Sequence, residues 1–278
     1  MENKPKKFKR YFDIDKINKL SPHDKVLFEK LKSDVANGSV FPAVRNNELH
    51  FYYKGGCLYK IKGNKFDRAP EYENYNQNTD GLSDYDKAKK QNENKFKTAD
   101  DKSKERQILD RLYKHTFSGE RGDVVVIDIE IRLNGETNGA KKCDLCLLNA
   151  KTNQIMFVEG KIFKDNRVNV KQGNTPKVTA QVNGYSAAMR EQRPEIETQY
   201  AEHIAIINAL FLKGKPQYDP NVKLILPAKL IVYETPKNPN ENARHSICVI
   251  ETILKNDVMW ILGGVEPTLD EIWGALCK

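Results

Sequence analysis

The part of the chain that most limits its fold is a set of three apolar segments between two segments with helical periodicity. In the first, Val125, Ile127 and Ile129 recur at a spacing of two residues and share a face, which predicts a strand. The flanking segments repeat apolar residues every three or four positions, as amphipathic helices do. The predicted order is helix, three strands, helix and a buried strand, at 102–117, 124–133, 143–148, 155–163, 176–192 and 203–210. This order predicts an α/β fold with a mixed central sheet.

The sequence predicts two domains joined by a linker, and the second domain contains this core. Residues 1–66 are expected to form a small α+β unit, with a helix over 21–37 and short strands over 40–66. Residues 67–101 are polar and poor in aliphatic side chains, which is typical of a linker, and we expect one solvated helix near 82–97. The third segment, 102–278, is the predicted core domain.

The C-terminal part of the core domain is expected to add strands to the sheet. Apolar runs predict these strands at 224–234, 246–254 and 257–262. A terminal helix follows, and Thr268 is its expected N-cap.

Composition narrows the class of protein. The 278 residues carry 46 basic and 38 acidic side chains, a net charge of +8. Basic clusters are typical of proteins with a polyanionic partner such as nucleic acid, although a basic surface without such a partner is an equal alternative. The sequence predicts no membrane span and no secretory signal. Five scattered cysteines, an odd number, favour a reducing cytoplasm.

Two carboxylates on consecutive predicted strands are the strongest chemical signal. Asp144 lies in the second strand, and Glu159 begins a Glu-Gly-Lys sequence in the third. Glu159 and Lys161 are two residues apart and therefore point to the same side of their strand. Pairing of the two strands would bring Asp144 and Glu159 close together. The alternative is a surface ion pair between Glu159 and Lys161.

Adjacent carboxylates repel each other unless a cation lies between them. Oxygen ligands suit Mg²⁺ or Mn²⁺, and phosphodiester hydrolysis uses such an ion to activate water and neutralise phosphate charge. Lys161 is positioned to orient the attacking water or to stabilise developing negative charge. The pattern therefore predicts metal-dependent phosphodiester chemistry.

Other polar residues lie beside predicted apolar faces. Glu105 comes just before the apolar stripe of the first helix, and Gln181 and Tyr185 share a face of the second. Asp128 and Glu130 are expected on the polar face of the first strand, where they are solvated unless Glu130 completes a metal site. Cysteines 143 and 146 flank Asp144 and are expected to pack in the core rather than to bind metal.

Asp144, the Glu159-Gly160-Lys161 sequence and the Gln181-x-x-x-Tyr185 pair resemble the PD-(D/E)xK nuclease superfamily, in particular its RecB-type branch. The resemblance covers about residues 102–210 and implies a restriction-endonuclease-like core. It implies that Asp144, Glu159 and the Gly160 carbonyl bind the metal and that Lys161 is the catalytic lysine. It also implies catalytic roles for Glu105, Gln181 and Tyr185. Cys143 stands where many members have proline, and the iron–sulfur cysteines of some relatives are missing.

A basic segment follows the predicted catalytic lysine directly. Lys164, Arg167, Lys171 and Lys177 lie between the third strand and the second helix. Beside a metal site, such residues are expected to hold the phosphate backbone of a nucleic acid.

The sequence therefore predicts a Mg²⁺- or Mn²⁺-dependent deoxyribonuclease, an endonuclease by preference, with double-stranded DNA as its favoured substrate. The family resemblance implies a role in defence against foreign DNA or in repair, with a second copy of the chain or a defence or repair protein as partner. The alternative is a non-catalytic nucleic-acid-binding or assembly subunit of a larger complex. RNA is a weaker alternative substrate.

Overall fold

The computed structural model describes residues 8–68, 81–95, 101–113, 116–118, 122–133 and 142–278. These residues form eight α-helices and ten strands in two sheets, so the predicted mixed α/β class is confirmed. One basic cluster of the sequence lies at residues 4–10, and its Lys4, Lys6 and Lys7 lie outside the described residues. By its contacts the chain divides into a small-sheet unit, 9–121 and 198–221, and a large-sheet unit, 1–8, 122–197 and 222–278. The predicted domain boundaries remain predictions.

The small-sheet unit contains four complete helices and an antiparallel sheet in the order β1-β2-β3-β4. Its helices and strands are α1 (Asp15–Asn18), α2 (Pro22–Ala36), β1 (Phe41–Val44), β2 (Glu48–Tyr53), β3 (Gly56–Lys62), β4 (Lys65–Arg68), α3 (Gly81–Lys95) and α4 (Asp101–Tyr113). The Ser21 side chain accepts a hydrogen bond from the backbone N–H of Asp24, 3.1 Å away, and so caps α2. The predicted helix over 21–37 and the predicted short strands after it are confirmed.

Helix α3 differs from the solvated helix that the polar sequence predicts. The helix itself is present, but its Tyr85 and Asn92 side chains are buried. The Tyr85 hydroxyl donates a 2.6 Å hydrogen bond to Asp34 Oδ2 on α2, and Lys89 Nζ lies 2.9 Å from the same oxygen. One face of α3 is therefore fixed to α2 through a buried carboxylate.

The large-sheet unit contains a six-stranded mixed sheet. Its strands are β5 (Val124–Arg132), β6 (Lys142–Asn149), β7 (Gln154–Ile162), β8 (Lys223–Leu224), β9 (Lys229–Thr235) and β10 (Val258–Leu262). The strand order is β10-β9-β7-β6-β5, with β8 also paired to β7. Strand β6 is antiparallel to both β5 and β7, whereas β9 is parallel to both β7 and β10. The strands predicted at 124–133, 143–148, 155–163 and 257–262 are confirmed.

Helices connect the parallel strands of the large sheet, as parallel pairing requires. Helices α5 (Lys177–Glu191) and α6 (Arg193–Phe211) lie between β7 and β9 in sequence, and α7 (Glu241–Leu254) lies between β9 and β10. Helix α8 (Leu269–Leu276) follows β10. Thr268 caps α8 through a reciprocal capping box with Glu271, which confirms the predicted N-cap. In the part of the chain that the structure describes, no helix is both long enough and apolar enough to cross a membrane.

Two predicted strands are wrong. Residues 203–210 belong to α6, and residues 246–254 belong to α7. The first segment is nearly continuous in apolar residues, and its His203, Ile204 and Ile207 are all buried in the helix. The exposed positions of this stretch are occupied by Ala205 and Ala209, so the sequence lacks the polar face that distinguishes a helix from a buried strand. The strand predicted at 224–234 is present as two strands, β8 and β9, and both pair with β7.

Candidate active site

Pairing of β6 with β7 brings Asp144 and Glu159 together. Leu145 lies opposite Val158 in this antiparallel pair, so Asp144 and Glu159 are neighbours on one face of the sheet. The backbone N–H of Gly160 donates a 2.9 Å hydrogen bond to Asp144 Oδ2. This contact fixes one oxygen of Asp144 beside the backbone of the Glu-Gly-Lys sequence.

The ammonium group of Lys161 contacts all three predicted metal ligands. Lys161 Nζ lies 2.6 Å from Glu159 Oε1 and 3.2 Å from Asp144 Oδ2. It also donates a 2.6 Å hydrogen bond to the Gly160 carbonyl oxygen. The Glu159 and Lys161 side chains are 1% and 2% exposed, whereas Asp144 is 21% exposed. The surface ion pair considered as an alternative is therefore a buried cluster, open to solvent only at Asp144.

Helix α5 covers this cluster with the two predicted polar residues. Gln181 Nε2 donates hydrogen bonds to Glu159 Oε1, at 2.6 Å, and to the Tyr185 hydroxyl, at 2.8 Å. The Tyr185 hydroxyl donates in turn to the backbone oxygen of Lys142, at 2.7 Å. Residues 181 and 185 share a face of the helix because they are four apart. The chain of hydrogen bonds fixes the Glu159 carboxylate from the helix side.

Electrostatics keeps the Tyr185 hydroxyl protonated. Burial raises the pKa of Tyr185 far above its usual value, and the negative charge of Glu159 raises it further. The residue is therefore a hydrogen-bond donor throughout the physiological pH range. Its role in this arrangement is to orient Gln181 and the backbone of β6.

Cysteines 143 and 146 are buried in the sheet. Burial raises the pKa of the Cys143 thiol well above its usual value, and the charges of Glu159 and Asp144 add to this effect. A protonated thiol is a poor metal ligand. The two cysteines therefore pack in the core, as expected.

Strand β5 places two further acids near β6. A bulge between Val126 and Asp128 interrupts the regular alternation, and Asp128 is buried, so its expected solvation is wrong. Its Oδ1 accepts a 2.8 Å hydrogen bond from the Ile129 N–H. Glu130 lies beside Asp144 on the neighbouring strand, because the residues before and after it, Ile129 and Ile131, pair with Leu145 and Cys143. Glu130 has a φ of 48°, a strained backbone for a residue other than glycine.

Lys142 is a site residue that sequence reasoning missed. Its Nζ lies 2.7 Å from Glu130 Oε2, while its backbone oxygen accepts from Tyr185. Its position two residues before Asp144, on the same face of β6, is the signal that identifies it.

Glu105 lies on a different unit of the chain from the cluster. It belongs to α4 in the small-sheet unit, whereas the cluster belongs to the large-sheet unit. Its predicted role at the site remains a prediction.

The predicted phosphate-binding residues follow β7. Lys164, Lys171 and Lys177 are exposed. Arg167 differs, because its Nε donates to Asp165 Oδ1 at 2.9 Å in an ion pair. Burial would raise the pKa of Asp165, but hydrogen bonds from Arg167 and the nearby charges of Arg167 and Lys161 hold it below its usual value. Arg167 therefore carries less uncompensated charge than its sequence position suggests.

Contacts with α7 fix the segment that carries these lysines. The backbone N–H of Val170 donates to Ser246 Oγ, and that of Gln172 donates to Asn242 Oδ1, each at 3.0 Å. His245 Nε2 lies 2.9 Å from the backbone oxygen of Asn174. The exposed lysines are thus presented from an anchored segment.

A divalent cation would find only oxygen ligands in this cluster. Among the described residues, no group of three or more His, Cys, Asp or Glu side chains is arranged to hold a metal ion. Two carboxylates and the Gly160 carbonyl do converge on one point, and Mg²⁺ is often held by one or two carboxylates with water and phosphate completing its shell. The donor set therefore fits a hard divalent ion.

Comparison of the chain with protein-family models, with curated proteins and with solved structures finds no match.

Proposed function

We propose that this chain is a Mg²⁺- or Mn²⁺-dependent nuclease that hydrolyses DNA phosphodiester bonds. The observation that carries the proposal is the convergence of Asp144, Glu159 and the Gly160 carbonyl on the Lys161 ammonium, at the partly exposed end of an otherwise buried cluster. Buried acids beside a lysine and hard oxygen ligands are the chemistry that phosphodiester hydrolysis uses.

Each residue has a role that follows from its contacts. Asp144, Glu159 and the Gly160 carbonyl would hold the divalent ion, which when bound supplies a more acidic water and neutralises phosphate charge. Lys161 would donate hydrogen bonds to the attacking water or to a phosphate oxygen. Gln181 positions Glu159 through its 2.6 Å hydrogen bond, and Tyr185 positions Gln181.

The topology of the large-sheet unit supports the proposal at the level of fold. Strands β5, β6 and β7 form an antiparallel meander, α5 and α6 follow, and β9 then pairs in parallel with β7. We propose that this unit is a restriction-endonuclease-like core. Fold alone does not determine activity, so the site residues carry the functional argument.

DNA is the proposed substrate because of the anchored basic segment. Lys164, Lys171 and Lys177 are exposed on the segment that begins three residues after Lys161. Lysines placed there would contact the phosphate backbone next to the scissile bond. Defence against foreign DNA, or repair, is the proposed setting.

One observation favours the second candidate, a non-catalytic nucleic-acid-binding or assembly subunit. Lys161 already supplies a positive charge to Asp144 and Glu159, so the acids have a counter-ion without any metal. In that case the cluster would serve stability, and the exposed lysines alone would bind nucleic acid.

Cleavage of plasmid DNA, linear duplex DNA and single-stranded RNA in Mg²⁺, Mn²⁺ or EDTA separates the two functions. The nuclease proposal predicts cutting of DNA in Mg²⁺ or Mn²⁺ and none in EDTA. A protein that shifts DNA in a gel but cuts no nucleic acid in either metal would overturn it and support the binding subunit. Preferential cutting of RNA would overturn the choice of substrate.

A further inference from the structure

The Lys161 ammonium occupies the point that the three predicted metal ligands share. Its contacts to Glu159 Oε1, Asp144 Oδ2 and the Gly160 carbonyl are 2.6, 3.2 and 2.6 Å. Mg²⁺ binds oxygen at about 2.1 Å and requires its ligands close around it. An ion bound by these oxygens would therefore take the place where the ammonium group now lies.

Charge and burial make simultaneous occupation unfavourable. Glu159 and Lys161 are almost completely buried, so water screens their charges poorly. With the ammonium in place, one of the two carboxylate charges is already compensated, and a divalent ion beside it would be repelled by a buried positive charge at short distance. The ammonium and the ion would also compete for the same three oxygen atoms.

We propose that Lys161 is the resident cation of the metal-free site and that a divalent ion binds only by displacing its ammonium from these oxygens. The inference deepens the proposed function, on which it rests in taking the same oxygens as metal ligands. Lys161 then stabilises the metal-free protein relative to the metal-bound protein, and it thereby lowers the affinity for metal. Displacement releases the ammonium as a hydrogen-bond donor next to the ion.

The first test measures Mn²⁺ affinity by isothermal titration calorimetry, without nucleic acid. Lys161→Met removes the charge and keeps an unbranched side chain that is one heavy atom shorter. We expect this variant to bind Mn²⁺ at least about tenfold more tightly than wild type, because a buried unit charge close to the ion is removed. Lys161→Gln provides a second uncharged variant with the same expected direction.

A matched control is available in the same unit. Lys229 is also a buried lysine in an ion pair, 2.6 Å from Asp257 Oδ1, and contacts none of the three oxygens. Thermal unfolding should give a lower melting temperature for Lys161→Met, and for the control variant Lys229→Met, than for wild type. Adding Mn²⁺ should raise the melting temperature of Lys161→Met by more than it raises that of wild type. The rise for Lys229→Met should equal that of wild type.

The outcomes separate this inference from the proposed function. In one outcome, wild type binds Mn²⁺, Asp144→Asn does not, and neither Lys161 variant binds Mn²⁺ more tightly than wild type. This result overturns the displacement inference and leaves the metal site supported. If neither wild type nor the Lys161 variants bind Mn²⁺ or Mg²⁺, both the inference and the proposed metal-dependent function are overturned. Tighter binding by the Lys161 variants, abolished on adding Asp144→Asn, supports both.

Discussion

Lys161 Nζ lies 2.6 Å from Glu159 Oε1, and neither side chain is more than 2% exposed. Burying both partners of an ion pair costs desolvation free energy that their attraction often fails to offset. Replacing a buried ion pair by apolar residues of similar volume is often neutral or stabilising. The pair beneath Asp144 is therefore weak evidence for stability, and it agrees with the proposed chemistry at this site.

The first prediction concerns the cost of breaking this pair. Lys161→Met leaves Glu159 buried without its main counter-charge and should lower the free energy of unfolding by about 3–5 kcal/mol. The double variant Glu159→Gln/Lys161→Met should recover most of that stability, because neither charge is then buried. Urea unfolding measures both values, and a double variant no more stable than Lys161→Met would contradict the prediction.

The second prediction concerns the hydrogen bond from Gln181 to Glu159. Gln181→Leu removes the donor to a buried carboxylate and should lower the free energy of unfolding by about 1–3 kcal/mol. Tyr185→Phe removes only the hydroxyl that links Gln181 to the Lys142 backbone, so its effect should be smaller. Urea unfolding measures the loss of unfolding free energy in each variant. A loss in Tyr185→Phe equal to or larger than that in Gln181→Leu would contradict the role of Gln181 in holding Glu159.

The third prediction is a pH dependence in the small-sheet unit. Burial raises the pKa of Asp34, but hydrogen bonds from Tyr85 and Lys89 and the charges of Lys89 and Lys30 lower it below 3.8 overall. A lowered folded-state pKa gives stability that is present above the unfolded pKa and is lost as the pH falls through the folded value. Tyr85→Phe removes one of the hydrogen bonds responsible.

Tyr85→Phe should therefore cost about 1–2 kcal/mol of unfolding free energy near neutral pH. The difference from wild type should shrink as the pH falls below about 4, where Asp34 begins to take up a proton in the variant first. Urea unfolding across this range measures the difference. A constant difference at every pH would contradict the assigned role of the Tyr85 hydroxyl.

The fourth prediction concerns the basic segment. Replacing Lys164 and Lys177 by Gln should weaken DNA binding and reduce the slope of log affinity against log salt by about 0.9 for each phosphate that the protein no longer neutralises. Replacing Lys151 and Lys223, two exposed lysines at the opposite end of the β6 and β7 strands, removes the same charge and should leave the slope nearly unchanged. Equal effects of the two pairs would mean that DNA does not bind at the segment after β7.

The structure explains why the strands and the site could be anticipated from local sequence. The apolar runs of β5, β6 and β7 follow from burial on both faces of the sheet. A spacing of two residues places Glu159 and Lys161 on the same side of β7. A spacing of four likewise places Gln181 and Tyr185 together on α5. These relationships depend on neighbours in sequence.

The features that escaped prediction are two helices with misleading local composition and one bulge. In residues 203–210 of α6, the exposed positions are Ala205 and Ala209, so no polar face indicated a helix. In α7, buried Ala243, Ser246, Ile250 and Leu254 keep helical spacing, but the many β-branched residues between them favoured a strand. The bulge that turns Asp128 into the interior is set by the register between β5 and β6.

The most direct test of the proposed active site is the rate of DNA cleavage in excess Mg²⁺, under single-turnover conditions, for wild type, Asp144→Asn and Asp123→Asn. Asp123 is an exposed acid whose Oδ2 pairs with Lys151, at the far end of β5 from the cluster. We expect Asp144→Asn to reduce the rate by about 100-fold or more, because it weakens both the metal site and its contact with Gly160, and Asp123→Asn to cut like wild type. Cleavage by Asp144→Asn at the wild-type rate would contradict the account.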